Sequence, residues 1–291
     1  MKSLANKAFK MLKPLREGLI VCWLWFPLFR FSLGLRRTLP LVVSLTSYPA
    51  RIERAWISVE SLMRQTVRPE RLLLVLAEEE FPKRKLPRKI REQSQRGLQI
   101  HWVGVNGGSF DKLLPARQEF GSLPIITCDD DKYFPRNLIE SLFEASLAHP
   151  DTVVGARGWI VRRQNGHLAY GAGWTRAPAG SMGRDMLMPG GNGCLYPVDS
   201  LDDEVNNLNL ALEIAPTADD IWFWGALSKS KTNMLCLGLP PHRPVSSQRG
   251  APALSDINEH ANDRQFQAVM QHFRLKSIEV SREGPGQSDT A

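Results

Sequence analysis

The stretch Leu123-Pro-Ile-Ile-Thr-Cys-Asp-Asp-Asp-Lys-Tyr-Phe-Pro135 joins a short apolar run directly to three carboxylates. The apolar residues from Ile125 to Cys128 have the composition of a strand that is buried on both faces of a parallel sheet. The acidic residues Asp129, Asp130 and Asp131 then fall where this strand leaves the sheet. Because ligands of open α/β sheets bind at that carboxyl edge, the stretch predicts a binding site there.

The spacing of the acidic residues favours a cation as the ligand. In an extended chain, Asp129 and Asp131 project from the same face, because side chains alternate with a period of two. Two neighbouring carboxylates repel each other unless a cation lies between them. Mg²⁺ and Mn²⁺ prefer oxygen ligands and also bind phosphate oxygens. We therefore predict that Asp129 and Asp131 bind Mn²⁺ or Mg²⁺ and, with it, a diphosphate; the alternative is a solvated turn.

Segments of strand length and segments of helical periodicity alternate along the chain. Predicted strands are Leu39–Leu45, Arg71–Ala77, Gln99–Val105, the run before Asp129, and Thr152–Ala156, and predicted helices are 51–65, 83–96, 110–120, 221–227 and 258–273. This alternation predicts a Rossmann-like α/β fold, a three-layer α/β/α sandwich with a mostly parallel central sheet. A Gly-rich loop is expected at 190–193.

The positive charge of the chain belongs to its N-terminal segment. The net charge is +7 overall, and residues 1–37 alone contain eight Lys or Arg against one Glu. The rest of the chain is therefore balanced, which argues against a nucleic-acid-binding surface. Leu19–Phe29 is an apolar run of eleven residues, shorter than the roughly 20 residues that a membrane span needs. We expect residues 1–37 to lie at a membrane surface; the alternatives are a secretory signal and a helix packed on the domain.

These boundaries predict three parts. They are the N-terminal segment 1–37, a domain at 38–278 and a disordered tail at 279–291. The domain is expected to divide into a nucleotide-binding half at about 38–135 and an acceptor half at about 136–278. The four cysteines form no CxxC pair, so we expect isolated buried thiols and neither a zinc site nor a disulfide framework.

The strand that ends in Asp129-Asp130-Asp131, the Tyr-containing loop after the first strand, the Gly-rich loop and the pair Asp219-Asp220 occur together over residues 39–275. In this combination the chain resembles the GT-A glycosyltransferases, in particular the family-2-like enzymes of bacterial surface-polysaccharide synthesis. The resemblance implies an inverting transfer of a sugar from a nucleotide-sugar, with a UDP-sugar favoured, to a saccharide or lipid-linked acceptor. It also implies a cytoplasmic enzyme, peripherally attached to the inner face of the cell membrane.

The resemblance also assigns the donor side of the site. It implies that the loop after the first strand binds the nucleotide. Residues at the end of the second strand and in the helix before the acidic strand are implied to contact the nucleotide as well. The nucleotide-binding residues implied in this way are Thr46, Ser47, Tyr48, Arg51, Glu78, Lys112 and Asp130. The alternatives are that Tyr48 only shapes a turn with Pro49 and that Lys112 lies on a solvated helix.

The catalytic pair and the acceptor side follow from the same resemblance. It implies Asp220 as the base that takes the proton of the acceptor hydroxyl, with Asp219 as its helper; the alternative is that these residues cap a helix. His242 is implied as a third metal ligand beside Asp129 and Asp131. The implied acceptor-binding residues are Trp159, Gly191, Asn192 and Gly193.

Two other functions fit parts of the pattern. A sugar nucleotidyltransferase would use a similar sheet, but its Gly-rich phosphate loop after the first strand is replaced here by Thr46-Ser-Tyr-Pro-Ala-Arg51. A non-catalytic, membrane-attached nucleotide- or sugar-binding protein would not need both acidic clusters.

Overall fold

The computed structural model describes residues 36–163, 168–240, 242–245 and 261–275. The predicted membrane-surface segment therefore lies outside the described residues except for Arg36 and Arg37, and the predicted tail lies wholly outside them. No helix of the described part is both long enough and apolar enough to cross a membrane.

The described residues form a central eight-stranded sheet, two small sheets and helices on both faces. The strands are β1 Thr38–Thr46, β2 Arg68–Ala77, β3 Leu98–Val103, β4 Ile125–Asp129, β5 Lys132–Tyr133, β6 Val153–Gly155, β7 Trp159–Ile160, β8 Thr175–Arg176, β9 Met182–Gly183, β10 Met186–Leu187, β11 Asn192–Tyr196, β12 Met234–Cys236 and β13 Arg243–Pro244. The helices are α1 Pro49–Met63, α2 Arg88–Ser94, α3 Leu114–Phe120, α4 Leu138–Ala148, α5 Leu208–Ile214, α6 Asp219–Lys229 and α7 Ala261–His272.

The central sheet has the order β3-β2-β1-β4-β11-β6-β12-β9. Strands β3, β2, β1 and β4 are parallel neighbours, and β12 is parallel to β6. Strand β11 runs antiparallel to both β4 and β6, and β9 runs antiparallel to β12. The predicted α/β fold with a mostly parallel sheet is thus confirmed, and the carboxyl ends of β1, β2 and β4 meet at one edge.

The two faces of the sheet carry separate cores, as the period of two requires. In β1, Leu41, Val43 and Leu45 pack into one core, which α1 and α4 cover. Val42 points to the opposite core, where the apolar residues of α6 and α7 lie. This arrangement gives the predicted three layers, with β1 and β4 buried on both sides.

Three predicted elements differ in extent or type. The predicted helix 83–96 is α-helical only from Arg88, because Pro87 stands immediately before it and restricts the preceding backbone. The predicted helix 110–120 is a short 3₁₀ turn at Gly108–Lys112 followed by α3, which begins with Pro115 in its first turn. Asn192 and Gly193, expected in a flexible loop, instead begin β11 in the middle of the sheet.

Three cysteines, Cys128, Cys194 and Cys236, lie in the described part of the chain. All three are free and buried, which agrees with the prediction of isolated thiols.

Candidate active site

A cleft of about 750 Å³ opens at the carboxyl ends of β1 and β4. It brings together the loop after β1, the acidic residues after β4, and the start of α6, which are far apart in the sequence. The sequence-predicted residues that line it are Thr46, Ser47, Tyr48, Arg51, Lys112, Asp129, Asp130, Asp131, Asp219 and Asp220. The parallel pairing of β1 with β4 places Thr46 directly beside Asp129, so both site segments leave the sheet at the same point.

Asp129 is held between two lysines. The Lys112 ammonium donates to Oδ1 at 2.9 Å, and the Lys132 ammonium donates to Oδ2 at 2.7 Å. Burial alone would raise the pKa of the Asp129 carboxyl, but the two lysines outweigh it and hold that pKa well below its ordinary value. Asp129 is therefore ionised across the whole physiological range.

The next two carboxylates face Arg51. The Asp130 carboxylate accepts hydrogen bonds from the Ser47 hydroxyl at 2.6 Å and from the Arg51 guanidinium at 3.1 Å. The same guanidinium nitrogen lies 3.1 Å from Asp131 Oδ2. Arg51 also lies against the Tyr48 ring, with its guanidinium carbon 5.6 Å from the ring centroid. The loop after β1 and the acidic residues after β4 thus form one connected unit.

Asp130 is more completely enclosed than its neighbours, with only 5% of its surface exposed. Burial raises its pKa to about 6, although Ser47 and Arg51 oppose that shift. Burial and then the Asp129 charge also raise the pKa of Asp131. Oxygen Oδ1 of Asp131 is buried and has no hydrogen-bond partner among the described residues.

Asp219 and Asp220 stand in the first turn of α6, and neither side chain acts as its N-cap, which is Ala218. Asp219 Oδ2 lies 3.2 Å from the Lys112 ammonium, and Asp220 Oδ1 accepts a hydrogen bond from the Gly190 N–H at 2.8 Å. Burial and then the Asp219 charge raise the pKa of Asp220 to about 7. A carboxylate with a pKa near 7 suits a general base at neutral pH.

Lys112 links the two acidic groups electrostatically. Its ammonium contacts both Asp129 and Asp219, and only 5% of the residue is exposed. Burial lowers the pKa of Lys112, but Asp129, Asp219 and Asp220 together raise it well above the ordinary value. The residue is consequently a permanent cation between the acidic strand end and α6, rather than part of a solvated helix.

Two glycines allow the chain to pass close to these carboxylates. A Cβ atom added at Gly191 would lie 1.7 Å from Asp129 Oδ2. A Cβ atom added at Gly190 would lie 2.9 Å from the Thr127 hydroxyl and 3.3 Å from Asp220 Oδ1. The Gly-rich segment is therefore packed against the acidic residues and has no room for side chains at these two positions.

The oxygen-rich chemistry of the cleft fits a hard divalent cation. Asp131 carries a buried oxygen without a partner among the described residues. Asp129 is ionised, but both of its oxygens accept from Lys112 and Lys132, so a cation there would replace a lysine contact. Within the described part of the chain, no group of three His, Cys, Asp or Glu side chains lies close enough together to bind a metal ion. A cation at this edge would therefore depend on phosphate oxygens or water for its remaining ligands.

Among the described residues, His242 does not form a metal-binding group with Asp129 and Asp131. Its Nε2 makes a close contact with the Asn192 carbonyl oxygen, and its Nδ1 is buried without a partner. The ring packs edge-on against Phe134 at a centroid distance of 5.0 Å. Burial lowers the pKa of His242, which keeps the imidazole neutral at neutral pH.

Two other predicted residues lie away from the cleft. The Glu78 side chain is directed to Arg84, with which it forms an exposed ion pair. Trp159 lies on the small sheet β10-β7-β8, where the Arg176 guanidinium carbon is 5.6 Å from its ring centroid. Neither residue is among those that line the cleft.

Several cleft residues were not singled out from the sequence. They are Glu80, Asn106, Asp111, Lys132, Tyr170, Thr217 and Asn262. Lys132 directly follows the acidic run and Asp111 directly precedes Lys112, so proximity to predicted residues was a usable signal for these two. Tyr170 and Asn262 carry no local signal, because only the tertiary structure brings them to the cleft.

Solved structures with a similar fold were found at low sequence identity. Residues 1–349 of S. aureus TarS in complex with UDP-GlcNAc give a TM-score of 0.53 at 13% identity, covering 84% of this chain and 68% of that one. A second crystal structure of S. aureus TarS residues 1–349 gives a TM-score of 0.51 at 12% identity, covering 84% of this chain and 67% of that one. The mannosyltransferase PcManGT from Pyrobaculum calidifontis, solved with GDP-Man and Mn²⁺, gives a lower TM-score of 0.43 at 14% identity, covering 93% of this chain and 88% of that one.

No protein-family model and no curated protein sequence matches the chain. At these identities, the likeness to TarS shows the fold alone. The eight-stranded mixed sheet, with its acidic cleft at the carboxyl edge, agrees with that likeness. The chain has the GT-A fold.

Proposed function

We propose that the protein is a glycosyltransferase that moves a sugar from a nucleotide-sugar to an acceptor hydroxyl. The observation that carries this proposal is the meeting of two acidic groups, Asp129–Asp131 and Asp219–Asp220, around Lys112 in one cleft of a GT-A fold. One group suits the diphosphate of a donor with its cation, and the other suits proton removal from an acceptor. The TarS complex with UDP-GlcNAc supports a nucleotide-sugar donor, and we favour a UDP-sugar.

The donor would lie over the loop that follows β1. Tyr48 offers a ring for stacking against the base, and Arg51 is already positioned by Asp130 and Asp131. Lys112 and Lys132 place two ammonium groups beside Asp129. These charges attract a diphosphate and stabilise the negative charge that develops on it as the sugar bond breaks.

Asp129 and Asp131 are the residues that would hold Mn²⁺ or Mg²⁺. When bound, the cation supplies Lewis-acid stabilisation of the departing nucleoside diphosphate. We retain His242 only as a candidate third ligand, since its Nε2 already contacts the Asn192 carbonyl oxygen.

Asp220 would act as the base for the acceptor hydroxyl. The Gly190 N–H holds its Oδ1 at 2.8 Å, and burial keeps its pKa at about 7. Asp219 contributes a like charge that raises that pKa further, and the Lys112 charge opposes this shift. One carboxylate acting on the acceptor, opposite the departing diphosphate, favours inversion of the anomeric centre.

The acceptor would approach along the start of α6. Tyr170, Thr217 and Asn262 line that side of the cleft with an aromatic ring, a hydroxyl and an amide, which are groups suited to a sugar. Of the residues expected to bind the acceptor, Gly191 lies against Asp129, whereas Gly193 lies against Leu138. Trp159, Gly191, Asn192 and Gly193 are all outside the set of residues that line the cleft, so they could contribute only from outside it. We further propose that the acceptor is a saccharide or a lipid-linked saccharide and that the reaction takes place at a membrane surface. The reaction would then belong to surface-polysaccharide synthesis.

The decisive experiment is nucleotide binding by calorimetry. UDP, GDP and CMP are titrated with and without Mn²⁺ into the wild type, into Asp131→Asn, and into the matched control Asp151→Asn, whose carboxylate is exposed at the amino end of β6. We expect Mn²⁺-dependent binding of a nucleoside diphosphate that Asp131→Asn loses and Asp151→Asn keeps.

The alternatives predict different results. A sugar nucleotidyltransferase would form a nucleotide-sugar and release pyrophosphate from a nucleoside triphosphate and a sugar phosphate, which is measured with the same protein. If none of the nucleotides binds to the folded wild type, the glycosyltransferase proposal is wrong.

A further inference from the structure

A second pocket, of about 530 Å³, lies at the opposite edge of the central sheet from the candidate active site. It is formed where β1, β2 and β3 begin, and four arginines line it: Arg36, Arg64, Arg68 and Arg96. Strand β1 has nine residues, so the two edges are roughly 30 Å apart at about 3.3 Å per residue. The pocket therefore cannot contribute to the chemistry proposed above.

Its acidic residues do not neutralise the arginines. Glu60 is saturated, because its carboxylate accepts from Arg64 at 2.9 Å, from Arg96 at 2.8 and 3.1 Å, and from the Gln93 amide at 3.1 Å. The second acid in the lining, Glu70, lies 4.0 Å from Arg71. Among the described residues, Arg36 and Arg68 have no carboxylate within ion-pair distance, which leaves two uncompensated guanidinium groups.

Within the described ranges, the hydrogen-bond donors of Arg36 are only partly paired. One terminal nitrogen donates to the carbonyl oxygens of Met63 and Gln65, each at 2.7 Å, at the carboxyl end of α1. Its Nε is buried and has no hydrogen-bond acceptor among the described residues. A buried donor without a partner is destabilising, and an anion in the pocket would supply the missing acceptor.

The charged groups that Arg36 faces are themselves cationic. They are Arg68, at the start of β2, Arg96, before β3, and Arg136, before α4. After burial, these three arginines lower the pKa of Arg36 below its ordinary value, which is the effect of like charges that lie close together. Hydrogen bonds from the Arg68 N–H to the Arg37 carbonyl and from the Thr66 N–H to the Arg136 carbonyl fix the backbones that carry them.

We propose that this pocket binds a phosphate group. A phosphate presents several acceptor oxygens to guanidinium groups, which bind such oxygens through paired hydrogen bonds. The volume accommodates a phosphate with an ester substituent. The phosphate group belongs either to a lipid headgroup or to a soluble phosphate. The pocket includes Arg36, at the end of the basic segment 1–37.

The test compares the full-length wild type with Arg36→Gln/Arg68→Gln and with the control Arg184→Gln/Arg274→Gln, which removes the same charge from exposed positions outside the pocket. All three proteins keep residues 1–35. One arm measures partition onto phosphatidylcholine vesicles with and without phosphatidic acid. The other arm measures the rise in unfolding temperature with inorganic phosphate against chloride at equal ionic strength.

We expect the pocket variant to lose the phosphate-induced rise in unfolding temperature. If the source is a lipid, it also loses partition onto the acidic vesicles, by about thirty-fold, since each arginine near an anionic surface contributes roughly fivefold. Loss of the phosphate response with unchanged vesicle binding supports a soluble phosphate. If the pocket variant responds like the control in both arms, the proposal is overturned.

If the double variant is too unstable to fold, a single substitution still tests the proposal. Arg68 is exposed, so Arg68→Gln alone should fold, and it should reduce the phosphate-induced rise in unfolding temperature, because it removes one of the guanidinium groups of the pocket. An Arg68→Gln protein that is folded and responds fully to phosphate overturns the proposal equally.

Discussion

Replacing Gly191 with alanine should disable the donor site while leaving the fold in place. A Cβ atom at this position would lie 1.7 Å from Asp129 Oδ2 and 2.0 Å from its Cγ. Ordinary contacts between such atoms begin at about 3.4 Å, so one group must move by well over 1 Å. The backbone of Gly191 is tied to that of Asp129, because the Asp129 N–H donates to the Gly191 carbonyl oxygen at 3.2 Å. The Asp129 carboxylate is therefore the group that must turn away.

That rotation separates Asp129 from both lysines and from any cation at the strand end. A hydrogen bond to a charged group contributes about 1.5–3 kcal/mol, so the loss of one such contact corresponds to roughly 10- to 150-fold in affinity. We expect Mn²⁺-dependent affinity for a nucleoside diphosphate to fall by that factor. Overpacking at a single site costs about 1–3 kcal/mol of folding free energy, which the enclosed sheet should tolerate.

Calorimetry with the nucleotide that the wild type binds measures the effect, and chemical denaturation measures the folding free energy. The matched control is Gly104→Ala, where an added Cβ atom meets nothing within 4 Å and the backbone is not left-handed. Wild-type affinity in a folded Gly191→Ala protein would refute the reasoning, because Asp129 would then be unnecessary in its present orientation.

Three further predictions concern charged groups. The rate of sugar transfer should rise with pH, with a midpoint at about pH 7, as Asp220 loses its proton. Asp219→Asn should move the midpoint of this pH–rate profile to lower pH, because it removes a like charge beside Asp220. An unchanged midpoint contradicts the coupling of the two residues. Lys112→Met should reduce folding stability by about 3–5 kcal/mol in denaturant titrations, since it leaves the buried Asp219 carboxylate without a cation among the described residues, whereas Asp129 keeps Lys132; wild-type stability would show that the contact with Asp219 is dispensable. Burial would raise the pKa of Glu60, but Arg96, Gln93 and Arg64 outweigh burial and lower it. The Glu60 carboxylate therefore stabilises the fold fully above its ordinary pKa of 4.5, and this stabilisation is lost as the pH falls through the lowered pKa. Glu60→Gln should be less stable than the wild type at pH 7, and its free energy of unfolding should fall less steeply as the pH is lowered. Equal slopes of unfolding free energy against pH in the two proteins would exclude this role.

The sequence by itself determined the parallel half of the sheet. The apolar runs of β1, β2 and β4 are buried on both faces, so their composition is a local property that reports burial directly. The same runs determined that Thr46 and Asp129 leave the sheet at one edge. The proximity of Ser47, Arg51 and Asp130 followed from this, because parallel neighbours share their carboxyl ends.

Only the tertiary structure decided how the second half of the chain completes the cleft. The segment around Gly191 is too rich in glycine to predict a strand, yet it pairs between β4 and β6 because its lack of side chains lets the backbone lie against Asp129. The contact of Lys112 with Asp219 joins residues about 107 positions apart, and no local pattern encodes such a pairing. The same reason explains why Tyr170 and Asn262 were missed, and why Trp159 and Glu78 were expected in the cleft that they do not line. Residue type and periodicity report the burial of a segment, whereas the partner of a side chain depends on how separate segments pack.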